Sequence, residues 1–157
     1  MNVQRKRWIA ACALLAYSAI LIKFVVFKAA PIIHIGHLRL KFNGPHTGPG
    51  NFTPFKTIFP LLSGRTNHLI AMVNLVGNIV PFMPVGFLAP LVYWNMTWRK
   101  SLVLAIAVGF AMEGMEVVFR VGIFDVDDIM LNAFGVMIGY WVFAMFNERM
   151  RHRLRSS

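Results

Sequence analysis

Four apolar stretches, each long enough to cross the hydrocarbon core of a bilayer, limit what this chain can fold into. A spanning helix needs about 20 predominantly apolar residues. The stretches run over Trp8–Phe27, His68–Trp94, Ser101–Phe119 and Ile129–Phe146. Inside a membrane every backbone polar group must be satisfied by the protein itself, so such runs fold as helices. Composition agrees: hydrophobic residues are 57% of the 157 and charged residues 14%, against about 25% charged in a soluble domain. The expected fold class is an all-α integral membrane protein with about four transmembrane helices. We expect a single domain over residues 1–157, with an N-terminal span within 1–27, a long external loop after it, and a basic tail over 148–157.

The net charge is +10. The basic residues flank apolar runs rather than coat a polar domain, so they read as topology signals and as contacts for anionic membrane lipids. No nucleic-acid partner is expected. With both termini in the cytoplasm, Arg5, Lys6, Arg7, Arg99, Lys100, Arg149, Arg151, Arg153 and Arg155 lie inside. Lys28, Arg39, Lys41, Lys56, Arg65 and Arg120 lie outside. The larger set sits inside, which sets the orientation. Tyr93, Trp94 and Trp98 mark the inner boundary as an aromatic belt. The single cysteine, Cys12, permits no internal disulfide, and it reads as an ordinary buried residue.

The second stretch contains Pro81, Pro84 and Pro90. Proline removes a backbone donor and clashes with the preceding turn, so a kink or break is expected there. The segment Lys28–Asn67 forms the long connection, with turn formers from Asn43 to Asn51. Its apolar part, Phe52–Leu62, is too short to span and is expected at the interface or dipping into it.

Five of the six acidic residues fall between Glu113 and Asp128. A carboxylate in or beside a span is costly and is kept where it has a partner or a task. Gly109, Glu113 and Glu116 share a helical face, as do Asn132, Gly135 and Gly139, and as do Asn74 and Asn78. Gly135 and Gly139 form a small-residue pair that permits close helix contact. At 1.5 Å per residue, Asn74, Glu113, Glu116 and Asn132 lie roughly 5–10 Å in from the outer span ends, and Asn78 about 15 Å. The candidate ligand-binding set is therefore Asn74, Asn78, Glu113, Glu116, Asp125, Asp127, Asp128 and Asn132, lining a polar cavity in the outer leaflet. Local explanations compete. Asn132 is also suited to an interhelical hydrogen bond, Glu116 to an ion pair with Arg120, and Asp127 or Asp128 to a helix cap. The run Asp125–Asp128 could hold a divalent cation, although it lacks a calcium-loop pattern. His34 and His37 have no third ligand at a recognisable spacing. Metal and cofactor stay open.

On these residues the chain resembles the VanZ-like family of bacterial membrane proteins. The resemblance covers about residues 51–140. It rests on Asn51-Phe-Thr-Pro54-Phe55, on the proline-rich span Asn74 to Pro90, on Glu113-Gly-Met-Glu116 where the family commonly has Glu-x-x-Gln, and on Phe124-Asp125-Val-Asp127-Asp128 through Asn132 to Tyr140. It implies a bacterial plasma-membrane location and a role in the cell envelope linked to teicoplanin resistance. It brings no cofactor. The expected function is binding or handling of a lipid-linked cell-wall precursor or a lipoglycopeptide. Two alternatives are an intramembrane enzyme using paired carboxylates or an Asp-bound metal, and a structural scaffold for an envelope protein.

Overall fold

The computed structural model describes residues 2–25, 33–35, 38–40, 48–64 and 68–155. Helix α1 covers Val3–Val25. A short antiparallel ribbon follows, β1 (Ile33–Ile35) and β2 (Leu38–Leu40), pairing Ile33 with Leu40. The short helix α2 is Ile58–Leu62, and α3 is His68–Ile79. A 3-10 turn at Val80–Phe82 joins α3 to α4 (Met83–Val92). Helices α5 (Trp98–Val118) and α6 (Val126–Arg155) complete the chain.

Four helical stretches are long and apolar enough to cross a membrane: Gln4–Phe24, Ala71–Val92, Trp98–Val118 and Val126–Asn147. They match the expected spans, with ends displaced by a few residues. The expected fold class holds, with the ribbon lying in the connection between spans. The turn formers Asn43 to His46, and His37 of the His34–His37 pair, lie outside the described residues.

Local chemistry sets the span ends. Thr97 adopts an extended conformation and its hydroxyl accepts the Lys100 N–H at 3.4 Å, so α5 starts before the apolar run does. Asp125 does the same for α6, its Oδ1 accepting the Asp127 N–H at 2.9 Å. Such a cap contributes about 1 kcal/mol.

The second span breaks where its prolines require. Pro81 and Pro84 have no N–H to give to the carbonyls four residues before them. The chain tightens into the 3-10 turn, and Phe82 at the break is fully buried. The Tyr17 hydroxyl of α1 donates to the Pro81 carbonyl at 2.7 Å. We expect Tyr17→Phe to cost about 1 kcal/mol by leaving that carbonyl without its donor. A thermal unfolding midpoint in detergent equal to wild type would show that the hydroxyl contributes nothing there.

Helix α6 is the centre of the bundle, packing against α5 on one side and α3–α4 on the other, while α1 packs on α4. Glycines permit the approach. A Cβ at Gly139 would overlap the Met83 carbonyl oxygen, one at Gly135 the Ile79 carbonyl oxygen, and one at Gly86 the Val136 carbonyl oxygen. Against α5, a Cβ at Gly109 would come within 2.9 Å of the Ile129 side chain. The core is Phe82, Val85, Ala105, Met112, Val136 and Met137 with Leu21 from α1. Large apolar side chains such as Leu15, Val103 and Trp141 stay exposed on the outer helix faces, as hydrocarbon surroundings allow. Cys12 is exposed rather than buried, because α1 packs mainly on one neighbour.

The spans alternate in direction. One end of the bundle, the loop end, gathers the start of α3, the close of α5, the start of α6 and residues 48–64. The opposite, terminal end gathers the start of α1, the close of α4 and the start of α5.

Candidate functional site

The loop end carries most of the candidate residues, and the structure sorts them into two groups. The first group ties residues 51–58 to the start of α6. Asn51 forms a parallel bridge with Asp125. The Asn51 N–H donates to the Phe124 carbonyl at 2.7 Å, and the Val126 N–H donates to the Asn51 carbonyl at 3.0 Å. The Asn51 amide donates to Asp125 Oδ1 at 2.8 Å, and the Thr57 hydroxyl to Asp125 Oδ2 at 2.7 Å. Phe52 stacks on Phe124 with ring centroids 5.2 Å apart.

Asp127 has no exposed surface. Its Oδ1 accepts the Phe55 N–H at 2.6 Å, and its Oδ2 accepts the N–H groups of Thr57 and Ile58 at 2.6 and 3.1 Å. This carboxylate satisfies the open N–H groups where α2 begins. Phe55 has φ 66°, a conformation bulky residues rarely adopt. Asp125 and Asp127 are thus anchors for this segment. The residue that caps α6 is Asp125, not Asp127 or Asp128 as the sequence suggested.

The second group lines the helix contacts. Glu113 is 2% exposed, and its Oε2 accepts the Asp125 N–H at 3.0 Å. Glu116 is also buried, with Oε2 against Gly122, where a Cβ would overlap it. The predicted pairing of Glu116 with Arg120 assumed one continuous helix. Helix α5 ends at Val118 and Arg120 turns out with φ 55°, exposed. The Asn78 amide donates to Asp128 Oδ1 at 2.6 Å, joining α3 to α6. Asn74, one turn earlier on the same face, is exposed. Asn132 lies two turns beyond Asp125 on the same face of α6 and is 2% exposed, and its side-chain oxygen accepts no hydrogen bond from the described residues.

Sequence reasoning named neither Asn51 nor Thr57 as a site residue, though both stood in the stretch that carried the resemblance. Their signal was a polar pair within a Phe- and Pro-rich segment. As a group the site is rich in acceptors: carboxylates and an amide oxygen at one end of the bundle. Asp125 and Asp127 use their oxygens on protein donors, so the cation suggested for that run would have to displace those bonds. Among the described residues no group of three His, Cys, Asp or Glu is placed to hold a metal ion.

No curated protein and no solved structure matches the chain. The described family VanZ/LLP1 matches over residues 14–147, which takes in all four spans apart from the first turns of α1. This four-span membrane protein, with its second span broken at Pro81 and its 51–58 segment tied to α6, belongs to the VanZ/LLP1 family.

Proposed function

We propose that this protein sits in the bacterial plasma membrane with both termini in the cytoplasm, and that its loop end binds an envelope compound bearing hydroxyl or amine donors. A lipoglycopeptide such as teicoplanin fits that description. A lipid-linked precursor fits through its sugars, whereas its diphosphate would be repelled by Glu113, Glu116 and Asp128 without a bridging cation. The observation that carries the reading is the buried side-chain oxygen of Asn132, which accepts no hydrogen bond from the described residues. An acceptor buried without a donor costs roughly 1–3 kcal/mol, so it is a poor choice for stability alone. In this reading Asn132, Glu113 and Asp128 accept donors from the ligand, and the 51–62 segment covers them. Phe52, Phe55, Phe59 and Leu62 are exposed on that segment, a surface suited to the tail of an amphipathic ligand.

The test is teicoplanin susceptibility of bacteria expressing wild type, Glu113→Gln or Asn132→Leu, with membrane abundance measured on the same cells. Asn132→Leu removes that acceptor while keeping the number and branching of side-chain heavy atoms, so its abundance should stay near wild type. Protection should fall to the level of cells lacking the protein. If wild type never protects, or Asn132→Leu protects fully, the reading fails. Joint loss of abundance and protection in both variants would favour a scaffold.

A further inference from the structure

The terminal end carries a second constellation that the reading above does not use. Two open cavities of about 530 and 480 Å³ meet at Arg7, which lines both. Gln4 and Trp8 help close the first, and Trp94 and Lys100 the second. Among the described residues no acidic one lines either cavity. The Arg7 Nε donates to the Val92 carbonyl at 3.1 Å, and the Lys100 ammonium donates to the Asn95 carbonyl at 3.1 Å. These carbonyls lie at and just beyond the close of α4, where the helix dipole favours cations. A guanidinium has five N–H donors and an ammonium three, so each cation keeps donors for a ligand.

Depth identifies the ligand class. One span ends at Val92 and two begin at Gln4 and Trp98, so Arg7 and Lys100 lie within a turn of their span ends, from where a long basic side chain can snorkel to the lipid phosphates. Trp8, Tyr93, Trp94 and Trp98 are exposed around them, in the belt aromatic residues form at a membrane interface. We infer that Arg7 and Lys100 form a binding site for the phosphate of an anionic phospholipid. The guanidinium offers paired N–H donors to the phosphate oxygens, the ammonium adds a point charge, and the surrounding aromatics contact the glycerol and upper acyl chains. A free phosphate offers the same anion without the apolar part, and the exposed aromatics favour the lipid.

The full chain would be reconstituted in phosphatidylcholine vesicles containing a minority of phosphatidylglycerol. After extraction in mild detergent, native mass spectrometry would count retained lipids. Wild type should retain phosphatidylglycerol in preference. A basic residue near an anionic leaflet contributes a factor of about five, so Arg7→Gln with Lys100→Gln should reduce retention on the order of thirtyfold. The swap Arg7→Lys with Lys100→Arg keeps both charges and should keep most retention. Arg5→Gln with Lys6→Gln removes two exposed basic residues that are not among the lining of either cavity, and should reduce retention several times less than loss of Arg7 and Lys100. Millimolar inorganic phosphate should leave the lipid in place. Three results would overturn the inference: undiminished retention after loss of Arg7 and Lys100, an equal loss after Arg5 and Lys6 are changed, or displacement by inorganic phosphate.

Discussion

In Asp127→Ala, the amides of Phe55, Thr57 and Ile58 will exchange with solvent on the order of a hundredfold faster than in wild type, an opening cost lower by about 3 kcal/mol. All three N–H groups end on this one buried carboxylate, two of them at 2.6 Å. Bonds to an ionised acceptor are roughly twice as strong as neutral ones. The substitution also releases Phe55, held at φ 66°. Trypsin cleavage after Lys56, inside the same turn, should accelerate in parallel. Asp127→Asn keeps one acceptor oxygen and no charge, so it should fall between the two. If the alanine variant exchanges like wild type, the segment is held by Asn51 on Asp125 and Phe52 on Phe124 instead, and Asp127 is not its anchor.

Gly139→Ala and Gly114→Ala add the same methyl group to two helices and should shift stability in opposite directions. At Gly139 the new Cβ would overlap the Met83 carbonyl oxygen and lie 3.0 Å from the Phe87 N. Backbone atoms cannot rotate aside, so α4 and α6 must separate. Separation also disturbs the edge-on contact of Phe87 with Phe143, 6.0 Å between centroids. The expected cost is about 3 kcal/mol, the upper part of the range for overpacked cores, seen as a lower unfolding midpoint and lower membrane abundance. At Gly114 no atom of the described residues outside its own helix backbone lies within 4 Å of the added atom. Alanine there should stabilise by about 0.5–1 kcal/mol through the backbone freedom that glycine gives up in a helix. A Gly139→Ala midpoint at or above wild type would show that the helices are not in backbone contact.

The spans were legible because hydrocarbon leaves a chain few options: length and apolarity decide them. The break was legible because Pro81 and Pro84 lack a donor whatever their surroundings, and the close contact of α6 because Gly135 and Gly139 recur on one face. The site was legible only as a collection. Which oxygens of Asp125 and Asp127 are occupied depends on the backbone N–H groups of residues 55–58, and every sequence carries such groups without distinguishing them. Arg120 was misread because helical spacing was extended past Val118, where no glycine or proline marks the end. Asn132 was found as a polar residue, but that no described residue donates to its buried oxygen emerges only from packing.

The tie between residues 51–58 and α6 also bears on how the protein is made. The bonds to Asp127 join residues 69 to 72 positions apart. Synthesis runs from the N-terminus, so the donors exist well before their acceptor. Until the last span has entered the bilayer, the turn at Phe55 has nothing to hold it and Asn51 has no strand-like partner. A chain arrested before Asp125 would display a loose aromatic segment at the membrane surface, and a finished chain would withdraw it into one shape. Closure of that segment therefore follows insertion of the last span, giving a protease a physical difference between a nascent chain and a mature one.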